Sequence, residues 1–145
     1  MLVCPARLSF FVTHCSLNII KKYKSMKVLI IDDNQSITSM LQKYLVIKGF
    51  EVEVANNGKN GLSLIQQRQF NAVLLDLSMP DFSGLDLIEQ LERDNALSNQ
   101  NIVLFTASSV SNDTINSLLT KDGIQTCLRK PVKLADLVQT LSLIK

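Results

Sequence analysis

Residues 26–145 contain no histidine; the one histidine of the chain, His14, precedes them. That excludes Ser-His-Asp and Cys-His catalysis, histidine-ligated zinc and self-phosphorylation on histidine within this stretch. Tryptophan is absent altogether. Cysteine is scarce. Cys4 and Cys15 lie in the first 25 residues and Cys127 stands alone beyond them, with no Cys-x-x-Cys spacing, so neither a disulfide framework nor a thiolate zinc site follows. A reducing cytosol is the default compartment for such a chain. Long apolar runs are missing too. The run Leu8-Ser9-Phe10-Phe11-Val12 is broken by Thr13-His14 and is far too short to span a bilayer. Its basic cluster Lys21-Lys22-Tyr23-Lys24 follows the apolar part instead of preceding it, the reverse of a secretory signal. Nor is there excess positive charge where a domain would use it. Arg7, Lys21, Lys22 and Lys24 supply +4 to residues 1–25, and the other 11 basic groups face 13 acids, so residues 26–145 carry −2. A mildly acidic domain is poorly suited to binding nucleic acid through its phosphates.

What is present is apolar matter enough for one core, 46% of 145 residues, in a chain too short for two ordinary domains. From Met26 onward, short apolar runs alternate five times with helical patterns. Val28–Ile31 ends at Asp32-Asp33; Ile37, Leu41, Tyr44 and Leu45 then recur at helical spacing up to Gly49. Glu51–Ala55 alternates polar and apolar, Asn57-Gly58 is a break, and a helix is predicted from Gly61 to about Gln69. Ala72–Leu75 ends at Asp76; a loop through Met79-Pro80-Asp81 and Gly84 leads to a helix with Leu85, Ile88 and Leu91. Ile102–Phe105 ends at Thr106, and a Ser-rich turn leads to a helix with Ile115, Leu118 and Leu119. Gln125–Arg129 ends at Lys130-Pro131, and the last helix offers Leu134, Leu137, Val138, Leu141 and Ile144 to a core. Five βα units imply an α/β three-layer sandwich: a doubly wound parallel sheet covered by helices on both faces. No internal repeat or low-complexity segment interrupts it. Residues 1–25 read as a non-domain leader, poorly ordered, or an upstream extension ahead of a true start at Met26; residues 26–145 read as the domain.

Asp32, Asp33, Asp76, Thr106 and Lys130 are each predicted just beyond a strand end. In a parallel sheet those ends point the same way, so the five side chains gather on one rim, where doubly wound proteins bind ligands. The signal lies in the placement, since none of these residues is rare. Carboxylates so close repel by about 4 kcal/mol per pair at roughly 4 Å, so the cluster needs a proton or a cation. With oxygen donors alone the fitting ion is a hard one, Mg²⁺, which keeps positions open for phosphate oxygens. Lys130 adds a point charge and Thr106 a hydroxyl. These are the parts of a phosphoryl-transfer site, in which one carboxylate can act as nucleophile.

Residues 26–145 resemble the response-regulator receiver domains of two-component signalling. The resemblance rests on the pair Asp32-Asp33, on Asp76, on Met79-Pro80-Asp81 with Gly84, on Thr106-Ala107 and on Lys130-Pro131, in the family's order and spacing. It implies a flavodoxin-like sheet of order 2-1-3-4-5. It implies that Asp76 is the phosphoacceptor, taking a phosphoryl group from a sensor histidine kinase or phosphotransfer protein. Asp33, Asp76 and the main-chain carbonyl of Ser78 would hold Mg²⁺, with Asp32 acting through a bound water. Lys130 would pair with Asp76, Thr106 would swing toward a phosphoryl oxygen, and Ser78 and Ser108 would tune hydrolysis. Lys130-Pro131 would be cis. Where the family usually carries Tyr or Phe, three residues before the lysine, this chain has Cys127, so the switch position lacks its aromatic partner.

Plainer readings exist residue by residue. Asp32-Asp33 with Asn34 would serve as a helix cap, Thr106 as a β-branched strand end, Cys127 as a small filler, and Ser78 and Ser108 as loop residues. Their joint placement favours the site. Two other classes compete. A haloacid-dehalogenase-like phosphohydrolase puts its nucleophile after strand one in an Asp-x-Asp pattern, whereas Asn34 stands at the second acid's place here. A flavin carrier cradles phosphate where this chain has Asp32-Asp33, and there is no indole to stack its ring. The expected protein is therefore a cytoplasmic single-domain phospho-switch and not an enzyme. It would be a monomer or weak dimer, would bind neither nucleic acid nor membrane, and would have no attached effector. Its downstream target would dock on the face of the fourth helix, fifth strand and fifth helix, at 112–121 and 133–142.

Overall fold

The computed structural model describes residues 26–145; the expectations for residues 1–25 lie outside the described residues. The elements run β1 (Lys27–Ile31), α1 (Gln35–Ile47), β2 (Glu51–Ala55), α2 (Gly58–Gln67), β3 (Ala72–Leu75) and α3 (Gly84–Arg93). A 3₁₀ turn (Leu97–Asn99) precedes β4 (Ile102–Thr106), α4 (Asn112–Leu119), β5 (Ile124–Arg129) and α5 (Leu134–Ser142). All strand pairs are parallel, in the order β2-β1-β3-β4-β5. The fold is the expected flavodoxin-like three-layer sandwich.

Strand pleating explains the layers. Successive side chains point to opposite faces, so each continuous apolar run feeds two cores. Leu29, Ile31, Val73, Leu75, Ile102 and Leu104 face Ile65 of α2, Leu87, Ile88 and Leu91 of α3 and Leu118 of α4. Val28, Ile30, Ala72, Leu74, Val103 and Phe105 face Leu41 and Leu45 of α1 and Leu137 and Leu141 of α5. Strands β1, β3 and β4 are therefore almost wholly buried, while β2 at the edge stays half-exposed. Burying one such aliphatic side chain stabilises the fold by about 1.5–3 kcal/mol. In α5 only Leu137 and Leu141 are fully buried; Leu134 and Val138 pack at the margin, as does Ile144, which lies beyond the helix instead of on it.

Several boundaries differ from the sequence expectation, for local reasons. Helix α2 starts at Gly58, three residues early, because the Asn57 side chain accepts from Asn60 N at 2.8 Å and caps it; it ends at Gln67. Thr106 is the last residue of β4 and lies inside the strand, where its carbonyl accepts from Lys130 N at 2.8 Å. Strand β5 begins at Ile124, and its register against β4 slips: Ile102 pairs with Ile124 but Val103 with Thr126. The extra residue switches the parity of β5, so Cys127 joins the same core as Ile124, and Leu128 the opposite one. Gly49, at φ +95°, closes α1 as expected.

Candidate functional site

The site is built by the three loops at the carboxyl ends of β1, β3 and β4 and by the residue following β5. Asp32 and Asp33 leave β1, and Asn34 caps α1, its side chain accepting from Ser36 N and Ile37 N at 3.1 and 3.2 Å. Capping thus falls to Asn34. Asp32 Oδ1 accepts from Asn34 N at 2.9 Å, and its other oxygen is aimed elsewhere. Asp76 leaves β3, and Ser78 N donates to its Oδ1 at 3.0 Å. The Asp76 backbone is held from below by α3. A Cβ on Gly84 would stand 2.3 Å from the Asp76 carbonyl oxygen, so only glycine lets the helix start this close. Ser83 and Asp86 lock that start with a capping box.

The rim placement predicted from the strand ends is realised. Asp32, Asp33 and Asp76 bring one carboxylate oxygen each within 4.8 Å of one another. Asp32 and Asp76 are buried, at 1% and 4% exposure, while Asp33 faces solvent. Lys130 Nζ reaches Asp32 Oδ2 at 2.5 Å and Asp76 Oδ2 at 3.3 Å. Asp32 is thus the closer partner of Lys130, whereas the resemblance pointed to Asp76. The Lys130-Pro131 peptide is cis, as expected. Phe105 was not anticipated as a member of the site: Lys130 Nζ lies 5.0 Å from its ring centroid, a cation–π contact. Thr106 is fully buried, and its Oγ1 has no hydrogen-bond partner. A buried hydroxyl without a partner is costly and marks an unused donor at the end of β4. Ser78 and Ser108 are exposed on the loops behind Asp76 and Thr106. Cys127 is half-buried against the α4-side core.

Electrostatics follow from this geometry. Burial pushes the Asp76 carboxyl above the ordinary carboxylate range, and the Asp32 charge adds to it; the Ser78 N–H and Lys130 oppose the rise without cancelling it. Burial pulls the Lys130 ammonium down, but its hydrogen bond to Asp32 and both carboxylate charges outweigh that, and it stands above its ordinary value. Burial likewise raises the Cys127 thiol despite the nearby Arg129 charge, so it is a poor thiolate at neutral pH. The donor set near Asp76 is all oxygen, which suits a hard divalent cation and no soft metal. Beside it, Asp33, Lys59, Asn60, Pro80 and Asp81 line an open cleft of about 460 Å³.

Sequence reasoning passed over Arg129. Its guanidinium donates to Val110 O at 3.0 Å, to Ala107 O at 3.4 Å and to Asn112 Oδ1 at 2.6 Å, spanning the loop between β4 and α4. The only advance signal was its place, one residue before Lys130; the register slip in β5 decides its direction.

Among the described residues no helix is long and apolar enough to cross a membrane. The response regulator receiver domain profile matches residues 28–142. The chain is 30% identical over 118 residues to the transcriptional regulatory protein CpxR homolog of Haemophilus influenzae, covering 81% of this chain and 49% of that one. It is 32% identical over 113 residues to the transcriptional regulatory protein CusR of Escherichia coli, covering 78% and 48%. The chain spans about half the length of these curated relatives. Among solved structures, the Vibrio cholerae chemotaxis protein CheY4 superposes with a TM-score of 0.72 at 26% identity, covering 83% of this chain and 98% of that one. The Thermotoga maritima response regulator TrrA, solved with Mg²⁺ and a beryllium fluoride, has a TM-score of 0.71 at 23% identity, covering 83% and 99%, a likeness of fold.

Proposed function

The chain belongs to the response regulator receiver domain family, and on that premise we propose that Asp76 accepts a phosphoryl group from a histidine kinase or phosphotransfer protein. The observation that carries this reading is the convergence of Asp32, Asp33 and Asp76 with Lys130 Nζ on one rim. Asp33, Asp76 and the Ser78 main-chain carbonyl would hold Mg²⁺, with Asp32 outside them. When bound, the ion neutralises charge on the transferring phosphoryl oxygens. Asp76 Oδ attacks phosphorus in line, the P–N bond to the donor imidazole breaks, and the imidazole nitrogen keeps the electron pair and takes up a proton. The open cleft beside Asp33 and Asp81 gives the donor its approach.

Lys130 then shifts its hydrogen bonding from the carboxylates to the new phosphoryl oxygens. The unpartnered Thr106 Oγ1 supplies a further donor, and that turn begins the change passed to α4. Water later cleaves the acyl phosphate, returning Asp76 and inorganic phosphate, at a rate tuned by what Ser78 and Ser108 admit. The domain is a switch that assists its own phosphorylation and dephosphorylation and not an enzyme acting on a separate substrate. Its output is a contact surface on α4, β5 and α5, and its place is the cytoplasm, where its donors are. Asp76→Asn is the test. With Mg²⁺ and acetyl phosphate the wild type should take up one phosphoryl group by intact mass and the variant none; labelling that persists on the same time scale means the nucleophile lies elsewhere.

A further inference from the structure

Arg129 is the cross-strand partner of Thr106 in the β4–β5 register. The slip near Ile102 puts Leu104 opposite Cys127, and both pack in the core under α3 and α4. Two residues on, by the pleat, Thr106 and Arg129 share that face. Thr106 ends β4 with a free hydroxyl, and its neighbour's guanidinium reaches past it to grip the chain that follows, over residues 107–112. It donates to the carbonyls of Ala107 and Val110 and to Asn112 Oδ1, the first residue of α4. Other bonds on this loop are local: Val110 N to Ala107 O at 3.4 Å, and Ser111 capping α4 through Thr114 N at 3.2 Å. Arg129 is the tie from the loop to the sheet beside it. A planar fork that meets three acceptors at once holds one loop arrangement and is not satisfied by another.

We propose that Arg129 is a latch that holds the β4–α4 loop in its unphosphorylated arrangement and is released when Thr106 turns toward the phosphoryl group. This rests on the phospho-switch reading above. Cys127, two residues before it on the same face, offers no aromatic ring to report the Thr106 movement. The coupling to α4 runs instead through the three guanidinium bonds, which break together because the acceptors lie within one short stretch that ends on the first residue of α4. Arg129 touches no reacting atom; it is a positioning residue.

The test pairs Arg129→Met, which keeps a long stem without donors, with Arg129→Lys, a point donor unable to span three acceptors. In the free proteins, amide hydrogen exchange of residues 107–112 should rise in both variants, more in the Met variant, while β1 and β3 stay protected. Beryllofluoride with Mg²⁺ should then bind the Met variant roughly tenfold tighter, the worth of about one charge-assisted hydrogen bond no longer opposing the change. The α4 amide resonances of the free variant should lie part-way to their beryllofluoride-bound positions. Unchanged exchange overturns the latch, and so does unchanged or weaker beryllofluoride binding by a variant whose loop exchanges faster. A wild type that binds no beryllofluoride defeats the phospho-switch reading instead, while the exchange data still decide whether Arg129 holds the loop.

Discussion

Replacing Lys130 by Met tests the electrostatics of the rim directly. The ammonium lies 2.5 Å from Asp32 Oδ2 and 3.3 Å from Asp76 Oδ2, and the two carboxylate side chains are only 1% and 6% exposed. Removing one member of such a buried group costs about 3–5 kcal/mol, because the remaining charges are left unpaired. The pocket opens on the rim, and Lys130 itself keeps 17% of its side chain exposed. Water can therefore reach the freed carboxylates, and the low end applies, about 3 kcal/mol. Met keeps an apolar stem of similar length, so packing loss adds little beyond the cation–π contact with Phe105. A domain of this size holds on the order of 5–15 kcal/mol in all, so the variant should fold but lose a large share of its stability. Urea denaturation followed by circular dichroism in metal-free buffer measures this as a lower midpoint with an unchanged slope. Millimolar Mg²⁺ should stabilise the variant more than the wild type, since no ammonium competes for the same oxygens. A variant within about 0.5 kcal/mol of wild type, the range of an ordinary surface substitution, would refute the account, as would equal stabilisation of both proteins by Mg²⁺.

Asp76→Asn should also change stability with a defined sign. The folded Asp76 carboxyl sits above its ordinary value because burial disfavours the charge. Its stabilising contribution is complete below the unfolded carboxylate value and is lost as pH rises through the raised one. The Asn variant, with no proton to lose, should exceed metal-free wild type in stability at neutral pH, and the gain should shrink toward pH 4; a gain independent of pH would contradict this. Gly84→Ala should destabilise the domain by about 2 kcal/mol or more, because the new Cβ meets the Asp76 carbonyl oxygen at 2.3 Å and the Leu77 Cα at 2.8 Å. The same substitution should slow acetyl phosphate labelling through the displaced Asp76 backbone. A thermal midpoint and labelling rate equal to wild type would show that α3 can back away at no cost.

Strands β1, β3 and β4 were legible because a strand buried on both faces must be apolar at every position, and Val28–Ile31, Ala72–Leu75 and Ile102–Phe105 are. Parallel strands then place whatever follows each run on one rim, so Asp32, Asp33, Asp76 and Lys130 were readable as a group without any knowledge of contacts. Boundaries set by single hydrogen bonds were less legible. Asn57 caps α2 with a side chain that in sequence reads equally as a loop residue. The pairing within the rim was not legible either. That Lys130 lies nearer to Asp32 than to Asp76 depends on sub-ångström positions of three loops.

Composition and the order of apolar runs were enough to specify a covered parallel sheet with an acidic rim, because burial and pleat periodicity act on residue types irrespective of their distant neighbours. The direction of individual side chains depended on the assembled sheet. One extra residue in β5 reverses which face Cys127 and Arg129 occupy, and no local pattern in Ile124–Arg129 distinguishes the two outcomes. Only pairing against β4 sets that register, since a strand has no preferred face until its neighbours give it one.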